Sequence, residues 1–122
     1  MMPRVLIVED DRINSLVLQK FLQAGFTYDA AYSGHQALEY LGRKKYDLVL
    51  MDINLGDPAM DGVQVLKEYQ KLAPNQKTPS IAVTAYAMVG DRERLLDQGF
   101  HDYLTKPVDR ELLLDRMNRL IG

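Results

Sequence analysis

The clearest hydrophobic pattern in the chain is a set of short, continuous apolar runs, each closed by a polar residue. Tyr46-Asp47-Leu48-Val49-Leu50-Met51-Asp52 is the central one, and it reads as a strand covered on both faces that ends on an acid. Val5-Leu6-Ile7-Val8 is a second such run and ends in Glu9, Asp10 and Asp11. Ser80-Ile81-Ala82-Val83-Thr84 ends on a hydroxyl, and the shorter Asp102-Tyr103-Leu104-Thr105 is followed by Lys106-Pro107. Tyr28 to Tyr32 is weaker and richer in small residues, as suits an edge strand.

Between these runs the period changes to that of a helix. Ile13, Leu16, Val17, Phe21 and Ala24 predict one apolar helix face, which Gly25 terminates. Ser33-Gly34-His35-Gln36 has the form of a capping box ahead of Ala37, Leu38 and Leu41. Asp61 is placed to cap a helix carrying Val63 and Leu66, Gly90-Asp91 opens a short one with Leu95 and Leu96, and Asp109 caps a last one with Leu113, Met117, Leu120 and Ile121. Strand and helix alternate throughout, which predicts an α/β fold with a parallel sheet, right-handed crossovers and helices on both faces.

Composition narrows the function. The 122 residues suit one domain spanning residues 1–122, with no output domain, repeat or low-complexity linker. No cysteine is present, which excludes disulfides, thiolate metal sites and a cysteine nucleophile. A net charge of -2 argues against direct nucleic-acid binding, and no apolar run is long enough to span a bilayer. No signal-peptide pattern precedes the first strand, so a cytoplasmic location is expected.

Ligands of open α/β sheets bind at the carboxyl ends of the strands. Those ends carry Glu9, Asp10, Asp52, Thr84 and Lys106. Crowded carboxylates call for a cation, and oxygen donors without His or Cys favour a hard divalent ion. A lysine and a hydroxyl opposite them suit phosphoryl transfer, with Asp52 the best placed nucleophile.

In these residues the chain resembles the receiver domain of two-component response regulators, the CheY-like family. The resemblance rests on Val8-Glu9-Asp10-Asp11, Met51-Asp52-Ile53-Asn54, Met60-Asp61-Gly62, Val83-Thr84-Ala85 and Tyr103-Leu104-Thr105-Lys106-Pro107, and covers Arg4 to Ile121. It implies a three-layer fold with strand order 2-1-3-4-5. It implies that Asp52 is the phosphoacceptor, served by a histidine kinase or histidine phosphotransfer protein. Asp10, Asp52 and the Asn54 backbone carbonyl would hold Mg2+ (or Mn2+), with Glu9 acting through water and Asp11 capping the first helix. Thr84 and Lys106 would engage phosphoryl oxygens, and Thr84 with Tyr103 would form a switch acting on the face of helix four, strand five and helix five. The domain would be a signalling switch that assists its own phosphorylation and dephosphorylation without a separate substrate, and its downstream target is not legible. A cis Lys106-Pro107 bond is expected.

Two departures stand out. Gly56 occupies the place of a usual proline, and Asp57-Pro58-Ala59-Met60 carries about two extra residues, as in some hybrid-kinase receivers. Asn14 and the run Thr84 to Glu93 lean towards hybrid-kinase and single-domain relay receivers. Tyr86 is bulky enough to shield an acyl phosphate. The competing readings are a flavin or nucleotide binder, which Glu9-Asp10-Asp11 would repel, an aspartyl-phosphate hydrolase, whose second Asp is missing from Asp52-Ile53-Asn54, and a receiver that works without phosphorylation.

Overall fold

The computed structural model describes residues 2–85 and 88–121. Five strands, β1 (Arg4–Val8), β2 (Thr27–Ala31), β3 (Leu48–Asp52), β4 (Ser80–Thr84) and β5 (Asp102–Thr105), alternate with five helices, α1 (Arg12–Leu22), α2 (Gly34–Arg43), α3 (Gly62–Tyr69), α4 (Asp91–Asp97) and α5 (Arg110–Ile121). The strands pair in parallel in the order β2-β1-β3-β4-β5, as expected.

β3 and β4 are buried at every position and β1 at all but Arg4, which is why their sequences read as unbroken apolar runs. Side chains alternate across the sheet and build two cores. Leu6, Val8, Val49 and Met51 pack with Ala37 and Leu41 of α2, Val65, Leu66 and Tyr69 of α3, and Leu95 of α4. Val5, Ile7, Leu48 and Leu50 pack with Leu18 and Leu22 of α1 and Leu113 and Met117 of α5. β2 and β5 are the half-buried edges. Winding reverses between β1 and β3, so their carboxyl ends face one crevice.

Of the expected face of α1 only Phe21 packs against the core. The residues buried are Ser15, Leu18 and Leu22, whereas Ile13, Leu16 and Val17 are 75%, 51% and 44% exposed and Ala24 is exposed. The helix carries two apolar rows, and the Leu18–Leu22 row continues into buried Phe26. Ser15 is tolerated in the buried row because its hydroxyl accepts from the Gln19 side-chain amide at 3.1 Å. On α3 the buried row is Val65, Leu66 and Tyr69, with Val63 only partly buried.

Capping follows the sequence. Asp11 Oδ1 accepts from the Ile13 and Asn14 N–H groups, Asp61 Oδ1 from Gln64, and Asp109 Oδ2 from Leu112, each at 2.9 Å. Ser33 Oγ accepts from Gln36 N–H, while Gln36 Oε1 reaches back to Tyr32 N–H, one residue earlier than in the usual box.

At the opposite end of the sheet lies a polar knot that the hydrophobic pattern does not announce. Asn75 is fully buried; its amide donates to the Leu41 and Lys44 carbonyls at 2.6 Å, and its Oδ1 accepts from Tyr46 N–H and Thr78 Oγ1. It thereby ties the entry of β3 to the segment leading into β4. Lys106-Pro107 is cis, and so is Ala73-Pro74.

Candidate functional site

Each acid reaches the crevice by a local cause. Glu9 directly follows β1, held by its N–H to the Ala31 carbonyl at 3.0 Å, and is 1% exposed. Asp52 is the last residue of β3 and 6% exposed; Asp10 lies on the open side. Oxygens of Glu9, Asp10 and Asp52 all lie within 4.8 Å of one another. Lys106 follows β5, its N–H bonded to the Thr84 carbonyl at 2.8 Å, and its Nζ lies 2.7 Å from Glu9 Oε1 and 3.2 Å from Asp52 Oδ2. The lysine therefore bridges the two buried acids, with its shorter contact to Glu9.

Asp10, Asp11, Asn14, Asn54, Gly56 and Ala85 complete a pocket of ≈ 310 Å3 around Asp52 and Lys106. Asn54 N–H donates to Asp52 Oδ1 at 3.3 Å, and Asn54 Oδ1 accepts from Gly56 N–H at 3.2 Å. Gly56 has φ +77, which a proline ring cannot adopt, and a Cβ there would sit 3.2 Å from Asp10 Oδ2. The departure at this position is thus a turn that lets the backbone pass close to an acid. The sequence signal for it is the Asn-x-Gly spacing after Asp52.

Thr84 is buried at the end of β4, beside Thr105 and outside the residues lining that pocket. Tyr103 is half-buried and packs on the core formed with α2, α3 and α4. Its phenol is raised above the ordinary value by burial and by the Asp91 carboxylate, with Arg94 opposing. Tyr86 lies outside the described residues.

Burial pushes the Glu9 carboxyl up to about 7, and neighbouring Asp52 adds to the rise, which Lys106 only partly offsets. Burial alone would depress the Lys106 ammonium, but Glu9 and Asp52 outweigh it and hold it above the ordinary lysine range. Between the ordinary Glu value of 4.5 and about 7 the folded chain keeps a proton that the unfolded chain has lost. Stability from this group is therefore full below the lower value and lost as pH rises through the upper one. A divalent cation favours ionised Glu9, so added Mg2+ should raise the denaturation midpoint more at about pH 8 than at about pH 5.5. An equal rise at both would show that Glu9 is not coupled to the ion.

The donor set fits a hard divalent cation. It is all oxygen, and Glu9 Oε2 is buried without a hydrogen-bond partner among the described residues, leaving it free to accept from an ion's water.

The model of the response regulator receiver domain matches residues 5–118. The chain belongs to that family. This receiver is 40% identical over 110 residues to the signal transduction histidine-protein kinase BarA of Escherichia coli, a match covering 89% of the chain and 12% of BarA. To the transcriptional regulatory protein ZraR of Salmonella typhimurium it is 36% identical over 119 residues, covering 97% of the chain and 26% of ZraR. The receiver domain of the sensor histidine kinase PA1611 from Pseudomonas aeruginosa, solved with magnesium in its active-site cleft, superposes with a TM-score of 0.89 at 36% identity, covering 100% of this chain and 99% of that one. The chemotaxis protein CheY4 of Vibrio cholerae superposes at 0.88 with 26% identity, covering 98% and 99%. The receiver spans only a small part of the curated kinases it matches. Family membership sets aside the flavin-binding and hydrolase readings. No described helix is long and apolar enough to cross a membrane.

Proposed function

We propose that this receiver accepts a phosphoryl group on Asp52 from a phosphohistidine of a histidine kinase or histidine phosphotransfer protein. The carrying observation is the Lys106 ammonium bridging Asp52 and Glu9 beside a third acid. The donor's N–P bond breaks, an O–P bond forms at Asp52, and the imidazole leaves. Mg2+, or Mn2+ in its place, would neutralise charge on the transferring oxygens. Asp10, Asp52 and the Asn54 carbonyl would hold it, with Glu9 acting through water. Lys106 and the Thr84 hydroxyl would each take a phosphoryl oxygen. The domain assists its own phosphorylation and hydrolysis and has no separate substrate.

A phosphoryl group adds about -1.5 to -2 of charge at Asp52. Drawing Thr84 towards it frees space for Tyr103, shifting the population of the α4, β5 and α5 surface that an output protein reads. The net charge of -2 supports a protein partner rather than nucleic acid, and the relay reading favours the cytoplasm.

The donor-docking surface is the part of α1 that pattern alone assigns to the core. Exposed Ile13, Leu16 and Val17 follow directly on the acidic loop, and a groove of ≈ 160 Å3 runs past Val17, Leu18, Pro107 and Val108 to Lys106. Exposed apolar patches next to a reactive group mark contact with a partner. Leu16→Glu should leave phosphorylation by a small phosphodonor unchanged and slow transfer from a phosphohistidine protein at least tenfold, on the order of the ~1.4 kcal/mol that a lost apolar anchor costs. Unchanged transfer from the protein donor would move the docking surface elsewhere.

The reading as a whole is tested by incubation with phosphoramidate and Mg2+ followed by intact mass. One phosphoryl gained by the wild type, and none by Asp52→Asn or in EDTA, is expected. Equal labelling of Asp52→Asn would overturn it.

A further inference from the structure

Only three charged side chains are buried among the described residues: Glu9 and Asp52 in the crevice, and Asp91 at the first residue of α4. Asp91 is 4% exposed, and its side chain makes two polar contacts among the described residues. Its Oδ2 accepts from Met88 N–H at 2.8 Å, and its Oδ1 meets the Arg94 guanidinium at 2.7 Å. Met88 N–H belongs to the connection that follows Thr84, and Arg94 lies one turn into α4. The carboxylate therefore staples the end of that connection to the helix.

The staple matters because α4 has so little else to seat it. It is seven residues long, its N-cap Gly90 has φ +88 and offers no side chain, and the buried residues of the helix are Asp91 and Leu95. Arg92, Glu93 and Arg94 are exposed, and Met88 and Val89 before them are 73% and 107% exposed. A helix held by one leucine and one carboxylate takes its position from both. Across from it stands Tyr103, whose phenol responds to the Asp91 charge.

We propose that Asp91 is a positioning residue that makes the turn 88–90 and α4 move as one body, so that a displacement at Thr84 reaches α4 and Tyr103 instead of being absorbed in the connection. This rests on the receiver reading given above. Without the side-chain bond the turn keeps only the backbone bond from Asp91 N–H to the Met88 carbonyl at 3.0 Å, a single hinge: phosphorylation of Asp52 proceeds, and its message stops at residue 90. The hydrogen bond, rather than the charge, is the mechanical part, since Arg94 is 63% exposed and its ion pair is screened by water.

The test is hydrogen exchange followed by mass spectrometry on the full chain, with and without phosphoramidate and Mg2+, together with intact mass on the same samples. Wild type is expected to take the phosphoryl group and to change exchange in peptides spanning 91–105. Asp91→Ala should be phosphorylated at the wild-type rate yet lose at least half of that change. Asp91→Asn keeps an oxygen for Met88 N–H and should restore it, and Arg94→Gln should retain it. A phosphorylated Asp91→Ala with the full wild-type response, or an Asp91→Asn as defective as alanine, overturns the proposal. If Asp91→Ala does not fold, Asp91→Asn and Arg94→Gln decide: loss of the response in either is contrary to it, and its retention in both supports it. Wild type that takes no phosphoryl group ends the receiver reading itself, and the proposal with it.

Discussion

Lys106→Met is expected to slow phosphorylation of Asp52 by at least about 100-fold, the cost of removing one preorganised charge from a transition state with developing negative oxygens. Methionine keeps most of the side-chain volume, so the loss is one of charge. In the resting protein Nζ lies 2.7 Å from Glu9 and 3.2 Å from Asp52, and the lysine side chain is only 20% exposed. Water therefore replaces the ammonium poorly. Stability should change much less than activity. With the ammonium gone, nothing pulls the Glu9 carboxyl back from its raised position at about 7, so Glu9 takes a proton instead of remaining an unpaired buried charge. A time course of intact mass with phosphoramidate measures the first effect and a denaturant curve the second. A variant labelled within threefold of wild type would remove Lys106 from the chemistry.

Gly62→Ala is expected to cost about 3 kcal/mol of stability and to impair the site as well, as overpacking against backbone does. A Cβ at Gly62 would collide with the Asp52 carbonyl oxygen and come within 2.9 Å of Ile53 Cα. Both are main-chain atoms, so no side chain can swing away. Gly62 N–H also donates to the Ile53 carbonyl at 2.9 Å, which fixes the start of α3 against the end of β3. Relief has to come from moving the residue that carries the reactive carboxylate. Urea denaturation gives the stability and the phosphoramidate reaction the rate. By contrast Gly42→Ala, where the new Cβ meets nothing within 4 Å, should be neutral or stabilising. Equal behaviour of the two variants would contradict the packing account.

Legibility in the sequence followed burial. Strands covered on both faces leave unbroken apolar runs, so β1, β3 and β4 could be read to within about two residues of their ends. The crevice acids were legible because polar residues closing such runs must emerge at the sheet edge. The phase of α1 was not. Its Ile13–Leu16–Val17 row is as apolar as the Leu18–Leu22 row, and pattern cannot tell a core face from a docking face. Asn75 was hidden for the opposite reason. A polar residue in a Pro-, Lys- and Thr-containing segment looks like surface until three backbone groups of residues 41–46 and the nearby Thr78 hydroxyl surround it. Sequence could place Lys106 beside Asp52, but its shorter contact with Glu9 depends on side-chain reach that only coordinates supply.

One carboxylate out of several neighbouring acids should receive the phosphoryl group. Borohydride reduces an acyl phosphate to an alcohol, turning the modified aspartate into homoserine, and peptide mapping then reads its position. After reaction with phosphoramidate and Mg2+, homoserine is expected at residue 52 alone. Homoserine at Asp10, Asp11 or Asp57 with residue 52 intact would contradict the account.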